Sequence, residues 1–194
     1  MTDIAFSPSK PSFSPLRLQT RSLGWQVGAV VIGTLFLALS SYIEVPMVPV
    51  PVTMQTFAVT LIGALYGWRL GAITIIAWLV EGAVGLPVLA SGASWFYTGG
   101  YLLSFPIVGA LVGWLAERGW NGNRVGFAFL AMLLGNLLCL VIGTVWLAAI
   151  IGAKAAIVSG FLPFIVGGLL KSALGAATLK LFSGNKASRV GTAS

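Results

Sequence analysis

No histidine occurs in the 194 residues, cysteine occurs once, and aspartate and glutamate together number 4. Without histidine there can be no histidine-based catalytic triad or HExxH zinc hydrolysis, and few transition-metal sites. One cysteine, Cys139, excludes an intramolecular disulfide and a cysteine-built metal site. It lies inside an apolar run and reads as a small buried residue. The carboxylates are Asp3, Glu44, Glu81 and Glu117, too dispersed to pair in one acid–base site. A phosphate-binding loop is also missing. Gly167-Gly168-Leu169-Leu170-Lys171-Ser172 ends in the right two residues, but no glycine precedes the lysine. The chain therefore cannot hydrolyse ATP alone, an enzyme is disfavoured, and no cofactor is implied. What remains is binding or transport.

Charge is scarce as well. Charged residues make up 8% of the chain against 58% apolar, with a mean hydropathy of +0.99. A soluble domain carries roughly 25% charged residues, so this chain lacks the polar surface to sit in water and needs a lipid bilayer around it. Charge-free runs such as Ser22–Ile43 and Val125–Ala153 reach the length that a spanning helix requires, about 20 residues. The net charge of +7 does not indicate nucleic acid, because the basic residues are scattered singly between apolar segments.

Hydropathy and helix breakers predict an all-α bundle of about six transmembrane helices. The expected spans are Gly24–Ile43, Thr53–Trp68, Leu70–Ala83, Gly99–Ala116, Val125–Ile150 and Leu162–Phe182. The second and third are short and joined tightly at Gly67-Trp68-Arg69. Pro46, Pro49 and Pro51 break the chain between the first two, since proline cannot donate to a helix ladder. Pro87 with Ser91, Gly92, Ser94, Gly99 and Gly100 marks a loop before the fourth. Pro163 suits an early helical position, and Pro106 is expected to kink the fourth helix or mark its first turn. Residues 1–22 hold Pro8, Pro11 and Pro15 among serines and read as a disordered tail before an uncleaved first span. The membrane domain covers 23–183, and 184–194 form a second tail.

With six spans, Lys10, Arg17, Arg21, Arg69, Arg118, Arg124, Lys180, Lys186 and Arg189 fall on one side and Lys154 on the other. The positive-inside rule then puts both termini in the cytoplasm. The proline-rich loop, the Gly/Ser loop and the start of the sixth helix face outward.

Polar groups at membrane depth are the functional candidates. Lys171 falls near the middle of the sixth span, where a lysine costs about 2.5–3.5 kcal/mol to insert; snorkelling to an interface is the alternative. Glu81 closes the third helix near the outer face, as an interfacial carboxylate or a partner for a buried cation. Gln55 and Asn136 are amides that hold helices together or hold a ligand. Tyr97 and Tyr101, beside Trp95 and Phe96, lie at the outer face as an aromatic belt or as pocket walls. Ala29 and Gly33, four residues apart, would let another helix approach closely, within the bundle or from a partner.

Four stretches in order carry a resemblance. Val48-Pro49-Val50-Pro51-Val52-Thr53-Met54-Gln55-Thr56 resembles the opening of the second helix in the BioY family. Gly82-Ala83-Val84-Gly85-Leu86-Pro87-Val88-Leu89-Ala90, Tyr97-Thr98-Gly99-Gly100-Tyr101-Leu102 and the Pro163–Lys171 segment resemble three further family motifs. The resemblance implies a biotin-specific capture component of an energy-coupling factor transporter in the bacterial inner membrane. Such a component is a six-helix bundle with an outward-open pocket that works with a membrane coupling subunit and ATPases. By the same resemblance Lys171 binds ligand, with Thr53, Gln55 and Tyr101 nearby and Asn136 supplying a polar group. The family aspartate of the last motif is replaced here by Gly168, which leaves open how the ureido group is held. Chemistry alone fits other carboxylated vitamins equally, and a stand-alone secondary transporter is the other class of reading. A homo-oligomer is compatible with all of these.

Overall fold

The computed structural model describes residues 16, 18, 21–90 and 95–184. Most of the two expected tails, and Ser91, Gly92 and Ser94 of the Gly/Ser loop, lie outside the described residues. The long helices are α1 (Leu23–Tyr42), α2 (Gln55–Tyr66), α3 (Trp68–Ala83), α4 (Trp95–Glu117), α5 (Val125–Ile151) and α7 (Leu162–Gly184). A single turn, α6 (Ala153–Ala156), and a π-helical turn at Ile157–Phe161 lead into α7. Six long helices bear out the expected bundle. Among the described residues, four spans are long and apolar enough to cross a bilayer: α1, α4, α5 and Ala153–Ser183.

Two departures have local causes. The proline-rich connection forms a miniature antiparallel ladder, β1 (Glu44–Val45) on β2 (Val52–Thr53), with Glu44 opposite Thr53. It folds the chain back and delivers Thr53 to the start of α2. The fourth helix begins at Trp95, earlier than Gly99, so Pro106 lies in its interior. Pro163 is the second residue of α7. Its ring would press on the carbonyl four residues back, and the π-helical turn directly before it widens the backbone there.

The bundle is apolar outside as well as inside. Val31, Ile32, Leu35 and Leu39 of α1 are all more than half exposed, a surface that only lipid solvates. Between helices lipid supplies no hydrophobic drive, so close packing holds them together. Gly63 and Gly67 face Gly109 and Gly113 in parallel register where α2 crosses α4. A Cβ on Gly63 would overlap the Gly109 carbonyl oxygen, and one on Gly113 would lie 2.6 Å from the Trp68 nitrogen. Gly67 also adopts φ 81°, a conformation that glycine takes without penalty, and so α2 turns into α3 with no loop. All of α2 except Thr56 and Phe57 is buried, which accounts for its shortness: it forms the bundle's core instead of its lipid face.

Ala29 and Gly33, read from the sequence as a close-approach face within the bundle or for a partner, both make contacts inside the bundle. The Tyr66 hydroxyl donates to the Ala29 carbonyl at 2.9 Å. A side chain at Gly33 would meet Thr74 and Tyr66.

Contacts also sort the basic residues. The Trp68 N–H donates to Glu117 at 3.2 Å, and Gly122 packs on Leu179 and Ser183. The α2–α3 junction, the α4–α5 loop and the end of α7 are therefore one end of the bundle, which holds Arg69, Arg118, Arg124 and Lys180. Lys154 follows α5 at the opposite end.

Candidate functional site

Near the end opposite the arginines lies a small cavity. Val50, Pro51, Thr53, Gln55 and Thr56 line it from the hairpin and the first turn of α2. Thr98, Tyr101, Leu102 and Phe105 enter from α4, one face of a helix at three- and four-residue spacing. Cys139 and Leu140 come from α5, Phe164 and Lys171 from α7, and Ala90 from the α3–α4 connection.

Lys171 is nine-tenths buried and ties α7 to the start of α2. Its Nζ donates to the Thr53 carbonyl and, at 3.3 Å, to Thr56 Oγ1. The ammonium keeps a third donor for anything entering the cavity. Glu81, offered from the sequence as a partner for a buried cation, does not hold Lys171. It sits in the last turn of α3, away from the cavity lining.

Gln55 is held on both sides. Its Nε2 donates to Ser41 Oγ at 2.9 Å, and Thr53 Oγ1 donates to its Oε1 at 3.1 Å. The Ser41 proton goes to the Leu37 carbonyl at 2.9 Å, so Ser41 meets Gln55 as an acceptor. One amide N–H of Gln55 is left for a ligand.

Tyr101 is wedged rather than free. Its hydroxyl donates to the Gly160 carbonyl at 2.8 Å, its ring stacks on Phe164 at 6.1 Å, and Gly143 leaves the space that the ring fills. The two rings make a rigid aromatic wall. The cavity thus combines one cation, one oriented amide donor and apolar or aromatic sides, an inventory suited to a small amphipathic molecule with hydrogen-bond acceptors.

The remaining sequence candidates lie elsewhere. Asn136 donates to the Met132 carbonyl at 3.0 Å and to Ser172 Oγ at 3.1 Å, bonding α5 to α7. Gly168 is buried beside it, and a Cβ there would stand 3.7 Å from that of Asn136, an ordinary contact. Tyr97 packs edge-on against Phe96 at 5.1 Å. Sequence reasoning overlooked Thr56, Thr98 and Phe164 as lining residues, although all three stand inside the motifs it quoted.

Comparison with known proteins agrees with this architecture. A family model described as the BioY family matches residues 13–187. A probable biotin transporter BioY of Rickettsia prowazekii is 34% identical over 163 residues, covering 79% of this chain and 81% of its own. That of Pyrococcus horikoshii is 35% identical over 159 residues, covering 78% and 93%. The biotin transporter BioY2 of Lactococcus lactis is 33% identical over 152 residues, covering 75% and 82%. A crystal structure described as the S-component for biotin from an ECF-type ABC transporter superposes with a TM-score of 0.70. It covers 84% of this chain and 95% of its own at 23% identity, a likeness of fold.

Proposed function

We propose, from the premise that this chain belongs to the BioY family, that it captures biotin in the cavity around Lys171. It then acts as the substrate-specific membrane subunit of an energy-coupling factor transporter. The observation that carries this reading is the buried ammonium of Lys171 at the cavity wall. A cation at that depth is costly unless strongly polar groups meet it, and the carbonyl and hydroxyl that do so leave it a free donor. Biotin supplies acceptors in its ureido carbonyl and carboxylate, and an apolar ring and chain for the Tyr101–Phe164 wall.

Energy comes from partners in this reading, because the sequence holds no nucleotide loop. They are a membrane coupling subunit and ATPases, and the setting is the bacterial inner membrane. Isothermal titration of the purified protein tests the first step. Saturable binding of biotin, with little response to other carboxylated vitamins, is expected. Folded protein that ignores biotin would remove the proposal.

Orientation is a separate expectation. The arginine-rich end is cytoplasmic by the positive-inside rule, so the cavity lies toward the outside. In a Cys139→Ser background, Lys154→Cys should react with an impermeant thiol reagent on whole cells and Asn123→Cys should not. The reverse pattern would turn the molecule over.

A further inference from the structure

The lipid-facing side of α4 carries a second constellation that biotin capture does not use. Pro106, Ala110 and Trp114 recur every four residues and so share one face of α4, and Arg118 follows at the same spacing in the turn after it. The first two are short and leave a trough, bounded by Ile107 and Leu111 and by Trp68 of α3. Trp114 lines its end nearest Arg118. From Pro106 to Trp114 the trough runs about 12 Å, comparable to the upper half of an acyl chain.

At the Trp114 end each tryptophan carries a guanidinium over its ring. Arg118 lies 3.5 Å from the Trp114 ring centroid and Arg69 lies 4.9 Å from that of Trp68. The bond from the Trp68 N–H to Glu117 pins the two helix ends together, so both arginines, each a neighbour of that bond in sequence, stand at the same end of the groove. A guanidinium over an indole loses freedom to turn, and its N–H donors, which lie in its plane, stay open to a ligand. Fixed planar donors suit a phosphate, which accepts two parallel hydrogen bonds. Glu117 lowers the local charge, so recognition rests on these directed donors more than on bulk potential.

We propose that this groove is a binding site for an anionic phospholipid, with one acyl chain along Pro106 and Ala110 and the phosphate between Arg69 and Arg118. A zwitterionic headgroup offers the same phosphate but brings a cation beside two arginines; an anionic headgroup does not. Selectivity for the anionic class follows from that difference.

The test is reconstitution of the full chain in a bilayer of equal phosphatidylglycerol and phosphatidylcholine, with the retained lipid counted by native mass spectrometry. Enrichment of phosphatidylglycerol of roughly thirtyfold is expected from two arginines at a membrane surface. Arg69→Gln/Arg118→Gln should abolish it, and so should Ala110→Trp, which fills the trough and keeps both arginines. Arg124→Gln/Lys180→Gln removes the same charge from the same end, away from the groove, and should retain it. A melting curve identifies any variant that is misfolded. Equal retention of the two lipids by the unaltered protein, equal loss in both charge variants, or full enrichment in folded Ala110→Trp would each overturn the proposal.

Discussion

Gly63→Leu should yield no folded protein. The ideal Cβ at this position overlaps the Gly109 carbonyl oxygen, and a Cβ built on Gly71 of α3 would lie 3.1 Å from the Gly63 Cα. Three helices therefore meet backbone to backbone at Gly63, and no flexible side chain is there to move aside. Overpacking a core costs typically 1–3 kcal/mol when neighbours can shift. Here a helix must shift, and α4 cannot move without opening the cavity that Thr98, Tyr101 and Phe105 line from the same helix. Against a total stability of about 5–15 kcal/mol, loss of the monodisperse species in size-exclusion chromatography is the expected outcome. Gly28→Leu is the control, since a Cβ at Gly28 meets nothing within 4 Å and the side chain would point into lipid. A Gly63→Leu protein that melts within a few degrees of the parent would show that α2 and α4 are not so tightly apposed.

That contact also shows where the sequence was legible and where it was not. The apolar runs and their breakers located six helices, because bilayer thickness fixes the length of a span and proline and glycine punctuate it. Four-residue spacing of small residues was visible too, in several places. Spacing alone does not say which pairs meet, and the pair singled out, Ala29 and Gly33, packs on Tyr66 and Thr74 within the bundle. Gly63 with Gly67 and Gly109 with Gly113 carry the α2–α4 crossing, a pairing that depends on two helices remote in sequence.

The site divides in the same way. Thr53, Gln55, Tyr101 and Lys171 come together at the cavity, since the first two sit at a helix start next to the hairpin and the last two face inward from α4 and α7. Asn136 was an ambiguous amide in sequence, and its bonds to Met132 and Ser172 give it the role of fastening α5 to α7. Tyr97 and Tyr101 looked alike, but they are four residues apart on a helix that starts at Trp95, and packing alone decided which ring entered the wall. Cys139 and Leu140 could not be found from polarity. They line the cavity because their face of α5 happens to border it.

Lys171→Met should weaken biotin binding by roughly ten- to a hundredfold while the protein still folds. Hydrogen bonds to a charged donor contribute about 1.5–3 kcal/mol, which converts to that range of affinity. Methionine keeps most of the apolar stem and removes the ammonium, so packing along α7 changes little. Folding tolerates the loss because burying the cation is itself costly, and removing it relieves that cost. Thr53 and Thr56 lose a donor, but both are on the backbone turn that opens α2, where Gln55 and its neighbours still hold the chain. Titration with biotin and with its methyl ester then reads which ligand group Lys171 meets. A loss confined to the free acid identifies the carboxylate, and an equal loss for both identifies the ureido carbonyl. Unchanged affinity for biotin in a well-folded Lys171→Met protein would leave the lysine as a tether between α7 and α2 and move the binding role to Gln55.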